Sequence, residues 1–311
     1  MAHRRGPTTR LIVIVNPIAG RGRTQKQLPA LKALLRARGI PFELELTAGP
    51  GDAVRLAQKA ARGGAQTVVA VGGDGTVHEV ANGLLAHGGP HTHKTALGVI
   101  PTGSGNDFCK AIGVPLDREG AVRVLLQGRS RLVDVCQMGE RFIVNGLGIG
   151  LDGAVSHRYR RMRRLRGELG YLWSAVHEAL MFRAFPAEIR TPDWGYRGPV
   201  LFTGLSNGPY HGGDFRLAPT ARVDDGELDV HVVRDIPPIK RWVQIPKVRR
   251  GDHLGLPEFL LRRAPWVEFR LEKRVPAHRD GEPFWLEPGR YRVEVLPKAL
   301  RVIAPQEDAE R

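Results

Sequence analysis

Apolar residues follow two different rhythms along this chain. In the first, short apolar runs alternate with stretches in which apolar residues recur every three to four positions. The runs are residues 10–15, 42–46, 67–71 and 97–100, and their continuous or alternating apolar character predicts strands. Leu28, Leu31, Leu34 and Leu35 recur at helical spacing, which predicts a helix over 24–38 that Gly39 ends. Further helices are predicted over 52–62, 78–87, 107–112 and 118–126. Strands alternating with helices in this way imply a doubly wound parallel sheet with ligand loops at the carboxyl ends of its strands.

From Arg131 the second rhythm takes over. Residues 132–137, 142–147, 187–190, 198–206, 227–233, 266–271 and 290–295 read as strands separated by glycine and proline turns, the spacing of an antiparallel sandwich. One long helix, over 153–182, interrupts them. The expected fold class is therefore α/β: an N-terminal doubly wound three-layer α/β domain over 1–130, followed by a C-terminal antiparallel β-sandwich over 131–299. Residues 300–311 are a candidate to return to the first domain.

Chemistry is concentrated where the apolar runs stop. Val68 to Val71 ends at Gly72-Gly73-Asp74-Gly75-Thr76, and glycines without a Cβ let a phosphate approach bare N–H groups. A helix beginning just after them aims its amides and positive dipole end at the same place. Asp74 would repel a phosphate unless it holds a metal or takes a proton; the alternative is a plain helix cap. Asn16-Pro17-Ile18-Ala19-Gly20-Arg21-Gly22 and Pro101-Thr102-Gly103-Ser104-Gly105-Asn106-Asp107 follow strands in the same manner. Asp280-Gly281-Glu282, taken alone, reads as a hairpin turn.

Charge narrows the partners. The 311 residues carry a formal net charge of +15, which draws the protein to polyanions. No zinc-finger spacing, RNP-type aromatic motif or basic zipper is present, so nucleic acid is not the expected partner. An anionic lipid surface is. Arg158, Arg160, Arg161, Arg163, Arg164 and Arg166 precede an apolar helical segment over 169–180, a juxtaposition suited to membrane docking. No apolar run reaches the ~18 residues of a membrane span, and the first ten residues are too polar for a signal peptide, so a cytoplasmic, peripherally membrane-associated protein is expected. Cys109 and Cys136 read as core residues rather than a disulfide, and His91 and His93 as solvated loop residues.

The set NPIAGRGR, GGDGTVHEVANGL, PTGSGNDF, LSNGPYHGGDFRLAP, VDDGELDV and DGE, in this order over nearly the whole chain, resembles the diacylglycerol kinase and sphingosine kinase superfamily of lipid kinases, in particular its soluble bacterial branch. The resemblance implies an ATP- and Mg²⁺-dependent kinase that phosphorylates the hydroxyl of diacylglycerol or a similar long-chain lipid alcohol, with a homodimer compatible. It implies nucleotide contacts at Asn16, Pro17, Ala19, Gly20, Thr47, Gly72, Gly73, Asp74, Gly75, Thr76, Glu79, Gly103 and Ser104. Asp74 would hold the catalytic Mg²⁺, directly or through water. Asp280 would accept the proton of the lipid hydroxyl, supported by Glu282. A structural Mg²⁺ would sit on the Asp225 carboxylate and the backbone carbonyls of Arg222 and Glu227. His78 departs from the asparagine that many bacterial members carry there. No GxxxxGK[ST] sequence occurs, which excludes a P-loop. An NAD kinase shares the GGDGT loop, but the LSNGPYHGGDFRLAP segment and the basic amphipathic helix are not what a soluble dinucleotide requires. A membrane-binding protein without catalysis would have no need of Asp74, Asp280 and Glu282.

Overall fold

The computed structural model describes residues 11–88, 94–162 and 168–306. The chain divides into two units, Met1–Val133 with Lys298–Arg311, and Asp134–Pro297. The loop histidines His91 and His93, and Arg163, Arg164 and Arg166 of the arginine run, lie outside the described residues.

In the first unit β1 (Leu11–Val15), α1 (Arg23–Ala37), β2 (Phe42–Leu46), α2 (Asp52–Arg62), β3 (Thr67–Gly72), α3 (Asp74–Gly88), β4 (Ala96–Pro101), α4 (Asp107–Ala111) and α5 (Arg118–Gln127) follow one another. The strands lie in the order β4-β3-β1-β2, all parallel. Val302, near the end of the chain, pairs in parallel with Leu97 of β4. Every residue of β1 and β4 is buried, whereas β2 mixes half-buried and exposed positions and buries none fully. That contrast is why the inner strands read as unbroken apolar runs and the edge strand does not. The chain steps from β1 to β2 on one side and returns to β3 on the other. The loops leaving β1 and β3 therefore diverge at the carboxyl edge, where such sheets open a ligand crevice.

The helix expected from residue 78 begins at Asp74. Gly73 alone separates strand from helix, because its carbonyl already accepts the Thr76 and Val77 amides.

β5 (Arg129–Met138) leads into the second unit, which holds β6 (Arg141–Ile143), β7 (Gly146–Gly150), α6 (Leu151–Arg161), α7 (Glu168–Met181), β8 (Phe185–Arg190), β9 (Gly195–Ser206), β10 (Leu228–Arg234), α8 (Pro238–Arg250), β11 (Phe259–Ala264), β12 (Trp266–Leu271), β13 (Val275–Arg279), β14 (Glu282–Leu286) and the first part of β15 (Gly289–Ala304). Pairing within the unit is antiparallel: β14-β13-β7-β9-β8-β12-β15, with β10 joining β9 to β11. The long strand β9 serves β8 with its first half and both β7 and β10 with its second. Ile149, Phe185, Ile189, Leu205, Val230 and Phe269 are among the residues that fill the core of this sandwich.

Three expectations are corrected here. The helix over 153–182 is two helices, because Met162 leaves α6 with extended backbone (φ −72°, ψ 123°). The strand over 142–147 is broken into β6 and β7. At the break the amides of Val144 and Asn145 donate to the Asp280 carboxylate at 3.0 and 2.8 Å, so the segment turns toward a side chain and leaves the ladder. Four elements did not register in the apolar pattern at all: β11, β13, β14 and α8. Prolines at 276, 283, 238 and 246 lie in three of them, and proline normally argues against strand or helix interiors. Among the described residues no helix is long and apolar enough to cross a membrane.

Candidate functional site

The first unit gathers its motifs by packing backbone against backbone. A Cβ on Gly103 would stand 2.5 Å from Cα of Gly73, and one on Gly20, which has φ +56°, would stand 2.3 Å from the Thr102 carbonyl. Only glycine permits either approach. Polar side chains complete the assembly. Asn16 Nδ2 donates to Thr76 Oγ1 at 3.1 Å, the Thr24 and Thr102 hydroxyls share a 2.6 Å bond, and the Thr102 amide donates to Gly72 O at 2.8 Å. Asn16, Gly20, Gly72, Gly73, Thr76 and Gly103 thus lie together at the carboxyl edge, with Ser104 exposed beside them. Thr47 joins the edge through its amide, which donates to Val15 O at 2.9 Å. The first turn of α3 presents amides there, as helix N-termini do to anions.

Asp74 and Glu79 face protein donors. Asp74 accepts from the amides of Asn106 and Asp107, each at 2.7 Å, on its two oxygens, and so ties the loop after β4 to the start of α3. Glu79 accepts from the amides of Gly51 at 2.8 Å and Ala53 at 3.2 Å, which caps α2 and fixes the loop that follows Thr47.

In the second unit Asp280 and Gly281 form the corner of the β13–β14 hairpin, both with positive φ (47° and 82°), the conformation of a type I′ turn. Asp280 is 6% exposed. Its Oδ1 accepts from Asn145 and Gly146 at 2.8 and 2.9 Å, and its Oδ2 from Val144 at 3.0 Å. The Glu282 carboxylate pairs with Arg160. Asp225 sits in the turn before β10. Its Oδ1 accepts from the Glu227 amide at 3.1 Å, and its other oxygen meets the guanidinium of Arg263. Arg263 also lies 3.0 Å from Glu227 and 3.5 Å from Asp229, so an arginine stands where the acidic turn faces a cation. Arg222 pairs with Asp224 at 3.4 Å.

A second cluster escaped the motif reading. Asp152, His211 and His278 bring one carboxylate oxygen and two ring nitrogens within 4.8 Å of one another. Gly281 N donates to His278 Nδ1 at 3.2 Å, and His278 Nε2 lies 2.7 Å from Asp152 Oδ2. Nδ1 is therefore the acceptor and Nε2 carries the proton. A His278 in that state donates to Asp152, and it offers no lone pair to a metal at Nε2 while the Gly281 bond stands. Burial works to raise the Asp152 carboxyl, but the histidines around it, His278 foremost, hold it below the usual carboxylate range. His211 meets the Ser206 hydroxyl at 2.8 Å, and burial pushes it down to about 4. Burial likewise pushes the neighbouring His231 down to about 3.

The cluster forms because β7 shows a bare face to it. Gly146, Gly148 and Gly150 alternate along the strand, and a Cβ on them would stand within 2.4 Å of, in turn, His211, Asp152 and Phe185. The G-L-G-I-G spacing was the available signal: glycine on every second strand position requires large side chains against it.

Asp152, Tyr171 and His211 border a cavity of about 110 Å³ whose remaining walls are mainly apolar, including Val155, Ala175, Phe202 and Ile245. Tyr171 OH approaches Asp152 Oδ1 at 3.4 Å. Apolar cavities of this order hold a small hydrocarbon such as benzene, so this one suits a slim alkyl segment with a polar group at one end. Neither cysteine contributes a nucleophile, since burial pushes both thiols up.

Residues 10–138 match the diacylglycerol kinase catalytic domain, and residues 146–304 match the YegS C-terminal NAD kinase beta sandwich-like domain. A Chromohalobacter salexigens protein named "Probable lipid kinase YegS-like" is 33% identical over 289 residues, 91% of each chain. A Pseudomonas aeruginosa protein of the same name is 31% identical over 288 residues, 92% of each. The crystal structure of a diacylglycerol kinase from Bacillus anthracis str. Sterne superposes with a TM-score of 0.73 at 25% identity, covering 97% of this chain and 99% of that one.

Proposed function

This chain belongs to the family of YegS-like and diacylglycerol-kinase-type lipid kinases, and on that premise we propose that it transfers the terminal phosphoryl group of ATP, with Mg²⁺, to the hydroxyl of diacylglycerol or a similar long-chain alcohol at a membrane surface. The supporting observation is the cavity of the second unit, apolar along most of its wall and closed at one side by Asp152, Tyr171 and His211. A lipid alcohol has that polarity: alkyl along its length, hydroxyl at one point. A dinucleotide does not.

Phosphoryl transfer asks the protein for position and charge more than for covalent chemistry. The glycine-lined edge of the first unit, with Asn16, Thr76 and the first turn of α3, is proposed to seat the triphosphate. Mg²⁺ would neutralise charge on the phosphates. Asp74 is the carboxylate available to hold it, through water, since both of its oxygens already accept amides.

For the acceptor proton two carboxylates compete. Asp280, expected from the sequence, accepts three backbone amides. Asp152 borders the cavity and is oriented by the His278 N–H. The geometry favours Asp152 as the carboxylate that accepts the hydroxyl's hydrogen bond and orients it for transfer, its lowered pKa keeping it ionised, with Asp280 fixing the hairpin that carries His278 and Gly281.

Labelled ATP offered with diacylglycerol, sphingosine, ceramide, a glycolipid and NAD tests the substrate class. Phosphorylated lipid is expected, and product from NAD alone would overturn the reading. Asp152→Asn should lower kcat on the lipid by about 10²-fold or more and leave the KM for ATP in place. An unchanged kcat there, with a loss confined to Asp280→Asn in folded protein, would return the proton to Asp280.

A further inference from the structure

The helix α8 has apolar residues on both of its faces. Gln244, Ile245 and Val248 line the cavity with Arg241, while Ile239, Trp242 and Val243 point outward at 77, 45 and 67% exposure. The inner face is pinned. Arg241, 6% exposed, donates through Nη1 to the carbonyls of Ala179 and Phe182 at the end of α7, each at 2.8 Å. The outer face is therefore presented by a helix that cannot roll its apolar residues inward without breaking those bonds.

Charge identifies the occupant. Residues 238–250 contain no Asp or Glu, in a chain of net charge +15; Arg241, Arg249 and Arg250 pair with Asp235, Asp214 and Asp252, so Lys240 and Lys247 are the cations the helix brings to the outer face. Three adjacent apolar side chains, one a tryptophan, set among cations on one helix suit the headgroup layer of an anionic bilayer, where the ring and the aliphatic groups enter and the cations meet lipid phosphates. A cavity under the same helix fits that placement.

We propose that the outer face of α8 is the surface by which this protein docks on anionic membranes, so that the acceptor cavity lies directly beneath the docked helix. The arginine run is the rival surface: Arg158 pairs with Glu178 and Arg160 with Glu282, as Arg249 and Arg250 of α8 pair with Asp214 and Asp252, so flotation of variants in each surface sets the two against one another. The proposal deepens the lipid-kinase reading, but it is tested without turnover.

The test is flotation of the full chain with vesicles of phosphatidylglycerol and phosphatidylcholine, and with vesicles of phosphatidylcholine alone. Wild type is expected on the anionic vesicles, less so as salt rises. The triple variant Ile239→Ser, Trp242→Ser, Val243→Ser should bind at least tenfold more weakly, and Lys240→Gln with Lys247→Gln about tenfold. Both should keep the wild-type melting temperature. Arg160→Gln with Arg161→Gln should change binding less than threefold. Wild-type flotation by the triple variant, no flotation by wild type, or loss with the arginine variant alone would each overturn the proposal. A dimer dispersed by the triple variant in a protein that ignores vesicles would make the face a contact between copies, and overturn it as well. Transfer to a dissolved short-chain diacylglycerol should be unchanged in both α8 variants. If no variant and no wild type phosphorylates that substrate while flotation behaves as stated, the kinase reading fails and the docking surface stands.

Discussion

Asp74 and Asp280 occupy similar short motifs, each followed by glycine, and each uses its carboxylate to gather amides from a distant segment. Asp74 reaches residues 106 and 107, and Asp280 reaches residues 144–146. Their surroundings differ. Asp74 is half-buried at the open edge of a parallel sheet, where glycine loops leave the backbone accessible. Asp280 is nearly enclosed, and the three amides it serves are buried with it. The lesson is that an acid in a glycine-rich motif holds loops before it does chemistry, and that burial decides how much the fold depends on it.

Removing each carboxylate gives the sharpest separation. Asp280→Ala strands three buried amides, each costing about 1–3 kcal/mol when left without a partner, so a loss near the upper limit for single substitutions, about 4 kcal/mol, is expected. Urea unfolding measures it, and a loss under about 1 kcal/mol would break the comparison. Asp74→Ala strands two amides, those of Asn106 and Asp107, beneath a carboxylate that is itself only half-buried, so about 2 kcal/mol is expected. Asp74→Asn should cost less stability still and yet lose phosphoryl transfer, while near wild-type turnover at saturating Mg²⁺ would show that the side chain only ties loops.

Protons should sharpen the same contrast, with large pH effects belonging to the second unit. Asp229, buried beside Thr220 and Arg263, is pushed up to about 6 from its ordinary 3.8, chiefly by burial. A raised folded value favours the protonated form. Its contribution is complete below pH 4 and is lost as pH rises through about 6, by roughly 3 kcal/mol. His211 and His231 are pushed down from 6.5, which has the opposite sign. Their contribution is present above pH 6.5 and is lost as pH falls toward 4. Two histidines outweigh one carboxyl, so wild type should lose stability as pH falls from 6.5 to 4. Asp229→Asn should steepen that loss, and His231→Leu, which leaves His211 opposed by Asp229, should flatten it. Identical profiles for both variants would contradict the assignment.

The smallest effect concerns the turn at Asp225. Arg263 already meets its carboxylate, so Mg²⁺ should shift the melting temperature by less than about 1 kcal/mol of stability in wild type. A larger, chelator-sensitive shift would mean that a metal displaces the arginine and that the turn binds the structural Mg²⁺ implied by family resemblance.

The primary sequence by itself determined the alternation of strand and helix in the first unit, the antiparallel character of the second, and the loops that collect at the sheet edge. These are local properties: burial on both faces gives unbroken apolar runs, and close packing demands glycine at Gly20, Gly72, Gly73 and Gly103. The order of the motifs was enough to identify the family. Tertiary structure alone decided the rest. Whether Asp280 is an exposed turn residue or a buried clamp depends on amides 134 to 136 positions away. Asp152, His211 and His278 carry no common spacing, because they come from a helix start, a loop and a strand that meet only across the glycine face of β7. The helix α8 was hidden by its prolines and by having apolar residues on two faces, a pattern that has one meaning on a buried helix and another where half of it looks outward. Local residue chemistry specifies what a segment can form; which groups end up sharing a site is set by distant chain packing, and no local pattern encodes that.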